Sequence, residues 1–329
     1  MSKERSMRRF RVLLNGAWAI VALAAAACAH AAYPDRPIHV IVPYPAGSTA
    51  DIMIRTISPQ LGEELGQPLI IENRAGGSGI TAARFVAKSA SDGYTLLFDG
   101  INHVTNVGLF DRLPYTVGKD FTPVSYVGNV QTVLLANPKT GFQSVADLVQ
   151  AAKAQPGVLN FGSAGNGTAG HLSTELLSRA TGISLMHIPY KGASPALVDL
   201  IGGQVQVLFT GLPPTVSIVQ AGQANALVVS GAKRSPLLPD VPSMGELGLL
   251  EQDVEIWFGL LAPAGTLDSV VDRLSRAVSQ VSNQPKVVRL LVEQGVTTVA
   301  STPDQFATVI ERDLKRWPPL IRSLGIEPQ

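Results

Sequence analysis

Three clusters hold residues whose types and spacing can do chemistry. Gly165-x-Gly167-x-x-Gly170 follows an apolar run, Val158–Phe161, and opens a helical pattern at Thr168. Small residues there let main-chain N–H groups approach a ligand, and a helix N-terminus adds a field that favours an anion. The spacing is that of a dinucleotide fingerprint, but the acidic residue required at the end of the next strand is missing from Leu185-Met186-His187-Ile188-Pro189. Pro43–Thr49 repeats the arrangement early in the chain: strand, a loop of proline and small residues, then a helix. Either loop alone reads equally well as a tight turn whose glycine supplies φ > 0. Two in equivalent places predict two anion-friendly loops facing each other across a cleft. The third cluster is the loop Asp99–Thr105, which follows a strand and offers Asn102 and His103. Loops at the carboxyl ends of strands border the ligand crevice of an open parallel sheet, which also makes the strand-end residues Tyr190 and Thr210 candidates.

Other chemistries lack their signatures. The chain has no G-x-S-x-G elbow, no GxxxxGK[ST] loop and no H-E-x-x-H helix. Past the first 31 residues the histidines are His39, His103, His171 and His187, none paired at metal-ligand spacing. No catalytic residue, metal site or cofactor is expected, although a serine hydrolase could be assembled from scattered Ser, His and Asp. Arg74 is a rival clamp for an anion, being a two-pronged donor beside a glycine loop, and Lys191 is another. Both also read as ordinary structural or solvated side chains.

Strands and helices alternate around these loops. Short apolar runs at Ile38–Val42, Leu69–Ile71, Thr95–Phe98, Val133–Ala136, Val158–Phe161, Ser184–Ile188, Val205–Phe209 and Ala226–Ser230 read as strands, separated by helical patterns. Caps are predicted at Ser144, with Asp147 three residues on, and at Thr302, with Pro303 and Gln305 behind it. The last helix should bend or end at Pro318-Pro319. Repeated β-loop-α units imply an α/β fold with parallel sheets and helices on both faces.

The first 31 residues stand apart. Five basic residues (Lys3, Arg5, Arg8, Arg9, Arg11) precede an apolar run from Val12 to Ala27 and a small-x-small pattern, Ala29-His30-Ala31. This is a cleavable signal peptide, since the run falls short of the ~20 residues that span a bilayer. Lipid attachment at Cys28 is the rival reading. Cleavage removes five of the 26 Lys/Arg and one of the 25 Asp/Glu, leaving 21 against 24, a net charge of −3, and takes away the only cysteine. With 46% hydrophobic residues the 329-residue chain has ample core material, and no basic stripe survives to meet nucleic acid. A soluble periplasmic protein is expected.

A family resemblance runs through the mature chain in order. Tyr33-Pro34-Asp35-Arg36-Pro37-Ile38 leads into Val40-Ile41-Val42-Pro43-Tyr44-Pro45-Ala46-Gly47. Then come Glu72-Asn73-Arg74-Ala75-Gly76-Gly77, Asp92-Gly93-Tyr94-Thr95-Leu96-Leu97 and Asp120-Phe121-Thr122-Pro123-Val124. Ser163-Ala164-Gly165-Asn166-Gly167, His171-Leu172 and Ile188-Pro189-Tyr190-Lys191-Gly192 complete it. The chain resembles the Bug-type solute-binding receptors of tripartite tricarboxylate transporters. The resemblance implies a type II periplasmic-binding-protein fold, two doubly wound domains with a cleft between them. Domain 1 would comprise residues 32–130 plus 255–329, and domain 2 residues 131–254, with crossings near Gly128-Asn129 and Val254–Trp257. It implies that a small carboxylate is held between Tyr44, Pro45, Ala46, Gly47, Ser48 and Thr49 on one side and Ser163, Ala164, Gly165, Asn166, Gly167 and Thr168 on the other. Ser48 stands where relatives usually carry a second glycine, which adds a hydroxyl to the loop. The implied partners are transporter permease subunits or, alternatively, a sensor kinase, and the receptor is expected to be a monomer without enzymatic activity. Asp51 is expected to turn away from a carboxylate site and support the helix, because like charges repel.

Overall fold

The computed structural model describes residues 33–212, 214–249 and 254–327. The signal segment expected over residues 1–31 lies outside the described residues. Every element below belongs to the compact unit that begins at Arg36.

Apolar strand Ile38–Val42 (β1) is followed by Thr49–Leu65 (α1), Leu69–Asn73 (β2), Ile80–Ala87 (α2), Thr95–Gly100 (β3), Asn102–Leu109 (α3) and Phe121–Val130 (β4). A second series runs Thr132–Ala136 (β5), Val145–Ala154 (α4), Asn160–Ser163 (β6), Ala169–Thr181 (α5), Met186–Pro189 (β7), Ala193–Gly202 (α6), Val207–Gly211 (β8), Val216–Gln220 (α7) and Asn225–Val229 (β9). The chain closes with Ile256–Pro263 (β10), Asp268–Ser282 (α8), Pro285–Glu293 (α9), Val296–Thr298 (β11) and Pro303–Ser323 (α10). Two sheets result, one of six strands in the order β11-β4-β10-β3-β1-β2 and one of five in the order β7-β6-β8-β5-β9.

The sheets are mixed, where the β-loop-α alternation implies parallel ones. β1 pairs parallel with β2 and β3, and β6 parallel with β7 and β8. β10 enters antiparallel between β3 and β4, β11 lies antiparallel to β4, and β5 lies antiparallel between β8 and β9. Only Gln131 separates β4, in the first sheet, from β5, in the second, so the chain passes from one sheet to the other there. Gly128 and Asn129 are therefore interior residues of β4, opposite Thr298 and Thr297 of β11.

Local signals are obeyed where they are strong. Ser144 and Thr302 both form complete capping boxes, with Asp147 and Gln305 respectively. α1 buries Met53, Ile54, Ile57, Leu61 and Leu65 on one face and stops at Gly66, which adopts φ 76°. Pro318 and Pro319, expected to bend or end the last helix, do not end it and lie inside α10. Packing outweighs the missing N–H donors: Trp317 and Ile321 are buried, and a Cβ on Gly108 of α3 would lie 2.7 Å from Pro318 Cα, so the two helices touch through backbone. Asp99–Thr105, expected to be a loop, is the end of β3 running into the first turn of α3. Among the described residues no helix is long and apolar enough to cross a membrane.

Candidate functional site

The loop after β1 is held by one carboxylate. Ser48 caps α1, its hydroxyl accepting the Asp51 N–H at 3.4 Å. Asp51 is buried; its Oδ2 accepts the Gly47 N–H at 2.9 Å, while Oδ1 accepts from Asn73 Nδ2 and Arg55 Nε, both at 2.8 Å. Burial raises the Asp51 pKa, but the Gly47 N–H, the Asn73 amide and Arg55 together hold it below the ordinary carboxylate value. Gly47 thus has no N–H left for a ligand. The Thr49 and Ala50 N–H groups, the first two of α1, have no acceptor among the described residues. Tyr44 donates its hydroxyl to Asp99 Oδ1 at 2.9 Å, and burial followed by the Asp99 charge pushes its pKa well above the ordinary tyrosine value. The Tyr44 phenol is committed to Asp99, which leaves the ring as a wall.

The glycine-rich loop is fastened differently. The caps of α5 and α1 share extended backbone, but the Thr168 hydroxyl donates to Gly165 O at 2.7 Å and does not cap the helix. The N–H groups of Ala169 and Gly170 accordingly have no acceptor among the described residues. Gly170 must be glycine: a Cβ would collide with the Phe209 carbonyl oxygen, so its absence lets α5 sit directly on β8. The Gly167 N–H donates to His171 Nδ1 at 3.1 Å, and His171 stacks on His187 with ring centroids 3.8 Å apart. Burial, reinforced by His171, lowers the His187 pKa to about 3. Ser163 Oγ lies 2.7 Å from His187 Nε2, a spacing that invites comparison with a nucleophile and its base. Ser163 is fully buried and lines neither of the two cavities between the loops, and a histidine of that pKa is a poor base at neutral pH.

Between the loops lies an inner cavity of about 60 Å³. Four helix N-termini reach it, through Thr49 and Ala50 (α1), Asn102 (α3), Ala169 and Gly170 (α5), and Ala193 (α6). Ile101, Phe209, Ile256 and Phe258 supply apolar walls, Ser48, Thr168 and Thr210 supply hydroxyls, and no acidic side chain lines it. Free N–H groups at converging positive helix ends in an apolar surround are an arrangement that can hold an anion. A wider mouth of about 320 Å³ adjoins it and shares Tyr44, Asn102 and Ala164 as walls.

The site is built from part of the set read from the sequence. Tyr44, Ser48, Thr49, Ala164, Thr168, Asn102 and Thr210 line the inner cavity, while Pro45, Gly165 and Tyr190 line the mouth. Ala46, Gly47, Ser163, Asn166, Gly167 and His103 line neither. Asn166 reaches the other half instead, donating to Glu327 O at 2.7 Å. His103 packs edge-on against Phe121, centroids 4.8 Å apart, with Nδ1 3.5 Å from Asp99 Oδ2. Arg74 is turned away: it bonds Glu72 Oε2 at 3.0 Å and stacks 3.7 Å over Phe85. Tyr190 spends its hydroxyl on Asp199 at 2.7 Å. Sequence reasoning missed Ala50 and Ala169, which first-turn logic at a helix N-terminus could have found, and Ile256 and Phe258, which return on β10 without a local signal.

Two mixed α/β halves with a cavity at the carboxyl ends of their parallel strands are the architecture of a periplasmic binding protein. The chain belongs to the tripartite tricarboxylate transporter family of receptors, whose family model matches residues 53–326. It is 39% identical to Protein BugT of Bordetella pertussis over 295 residues, 89% of this chain and 90% of that protein. It is also similar to the structure of Rpa4515 from R. palustris with adipate (TM-score 0.87, 34% identity, 90% of this chain and 100% of that one). MatC from Rhodopseudomonas palustris with bound malate matches with a TM-score of 0.83 and 32% identity over 88% of this chain and 100% of its own. The family consists of solute-binding receptors, and membership implies the periplasm and the membrane components of a tripartite transporter.

Proposed function

We propose that this chain captures a small carboxylate between residues 32–130 plus 255–329 and residues 131–254, closes the two lobes over it, and presents the closed form to transporter permease subunits. The observation that carries the reading is the pair of helix starts whose first two N–H groups have no acceptor among the described residues, Thr49-Ala50 and Ala169-Gly170, on one cavity without an acidic wall. The adipate and malate held by two relatives support the ligand class. Closure is supported by bonds that join the halves, Ser194 Oγ to Ala46 O at 3.3 Å and Asn166 to Glu327. The hinge is proposed at the two crossings between the lobes, at Gln131 just past Gly128-Asn129 and around Val254–Trp257. No chemistry is performed on the ligand, a reading favoured by the enclosed Ser163 and the low basicity of His187.

A thermal-shift panel of mono-, di- and tricarboxylates tests this. A ligand at ~100 times its Kd adds about 2.7 kcal/mol, a rise of several degrees at ~2–4 °C per kcal/mol. The bound acid should be recovered unchanged, whereas turnover would make the protein a hydrolase. Capture of a sensor kinase in place of permease subunits by the liganded protein would reassign the partner. Export is proposed to proceed by cleavage after the Ala29-His30-Ala31 stretch. Mass spectrometry of the native protein is expected to find a start at Ala31 or Ala32, and a diacylglycerol adduct on Cys28 would instead make the receptor membrane-tethered.

A further inference from the structure

The starts of α1 and α5 are secured by the same device built from residues of different charge. In α1 the third helical residue, Asp51, reaches back past the cap at Ser48 and accepts the Gly47 N–H at 2.9 Å. In α5 the third helical residue is His171, whose Nδ1 reaches past the cap at Thr168 and accepts the Gly167 N–H at 3.1 Å. Asp147 of α4 and Gln305 of α10 occupy the same position and take the N–H groups of Ser144 and Thr302. The residue one turn on differs to match. Arg55 pairs with Asp51 at 2.8 Å, whereas Glu175 Oε1 faces His171 Nε2 at 3.6 Å. An imidazole that accepts at Nδ1 keeps its proton on Nε2 and is uncharged. The ring is buried and anchored in a stack, 3.8 Å from His187, which lies 4.6 Å from Phe161 of β6. His187 Nε2 in turn lies 2.7 Å from Ser163 Oγ, so one imidazole holds each end of the loop 163–167.

We infer that His171 is a positioning residue: it fastens the glycine-rich loop through the Gly167 N–H with an acceptor that carries no charge, and so leaves the Ala169 and Gly170 N–H groups to an anion. The inference rests on the carboxylate-receptor reading. A carboxylate at this position would hold the loop equally well. It would also bring a negative charge to the helix start, face Glu175 one turn on, and take up part of the field that favours a bound anion. In α1 the same charge is balanced by Arg55. An aromatic ring without an acceptor would keep the stack on His187 and release the Gly167 N–H.

Calorimetry with malate, succinate and adipate compares wild type with His171→Asn, His171→Gln, His171→Asp and His171→Phe, each checked for its fold by circular dichroism. Hydrogen exchange of the Gly167 amide, followed by NMR without ligand, reports the hydrogen bond itself. At least one of the neutral acceptors, Asn or Gln, is expected to bind within about threefold of wild type. His171→Phe should weaken binding by about tenfold and speed Gly167 exchange; His171→Leu replaces it should the larger ring not fit. His171→Asp should keep the amide protected and still weaken binding by about tenfold. Wild-type affinity or wild-type Gly167 protection in the acceptor-free variant overturns the positioning role. Wild-type affinity in His171→Asp overturns the role of neutrality, and loss of binding in both folded neutral variants shows that the imidazole ring itself is required and overturns the inference. If wild type binds none of the three acids, the carboxylate-receptor reading fails, while Gly167 exchange still decides whether His171 holds the loop.

Discussion

Gly192→Ala is expected to leave the protein folded but to weaken carboxylate binding by about thirtyfold, through a contact between the two halves. Gly192 caps α6 with φ 127° and ψ 171°, backbone that residues with a Cβ rarely adopt. A Cβ built there would also run into Pro45 Cγ and Cδ of the loop after β1. The two penalties act on different equilibria. Backbone strain is present whether the lobes are open or closed and lowers the melting temperature. The collision exists only when the halves meet and therefore lowers affinity. Overpacking of a tight contact costs about 1–3 kcal/mol, and ~2 kcal/mol is roughly thirtyfold in Kd. Truncating the proline ring should undo one effect and not the other: Gly192→Ala with Pro45→Ala regains most of the affinity while the melting temperature stays low. Calorimetry and thermal unfolding of the three variants provide the check. Wild-type affinity in Gly192→Ala would mean that Pro45 and Gly192 are apart in the bound state.

The parts of this site that were legible in the sequence are those set by a few neighbouring residues. Proline and glycine punctuate the strand-to-helix passages at Pro43–Thr49 and Gly165–Gly170, so both helix starts could be located, and the caps at Ser144 and Thr302 follow from residue types three apart. What each donor does with its proton is decided by longer-range geometry. The Gly47 and Gly167 N–H groups look available in the sequence, yet Asp51 and His171 reach back four residues and consume them. His103 looked like a pocket residue because α3 was not recognised; in that helix it turns inward against Tyr115 and Phe121. Phe258 enters the site only because β10 inserts between β3 and β4, a long-range pairing that no local residue pattern announces. The same tertiary override carries α10 through Pro318 and Pro319.

Asp51→Asn is expected to lower stability by about 2–3 kcal/mol, as charge-assisted hydrogen bonds contribute ~1.5–3 kcal/mol each, while leaving affinity for a dicarboxylate within about threefold. The carboxylate has two acceptor oxygens and three donors aimed at it. An asparagine can keep Oδ1 for Asn73 and Arg55, but its NH₂ then confronts the Gly47 N–H, donor against donor. The loop loses its tether to α1. Affinity should be spared, because the Thr49 and Ala50 N–H groups are oriented by the helix, and the Ser48 cap is untouched. At ~2–4 °C per kcal/mol the melting temperature falls by about 4–12 °C, a larger effect than a simple helix-dipole contact would give. The sign of the pH dependence follows from a carboxyl pKa that folding lowers. The contribution is fully present above the unfolded value of about 3.9 and disappears as pH falls through the folded one. The melting difference between wild type and Asp51→Asn should therefore be constant at neutral pH and shrink in acid below about pH 4. The opposite pattern, affinity down more than tenfold with melting unchanged, would put Asp51 in contact with the ligand, and that ligand would then have to carry a cationic group.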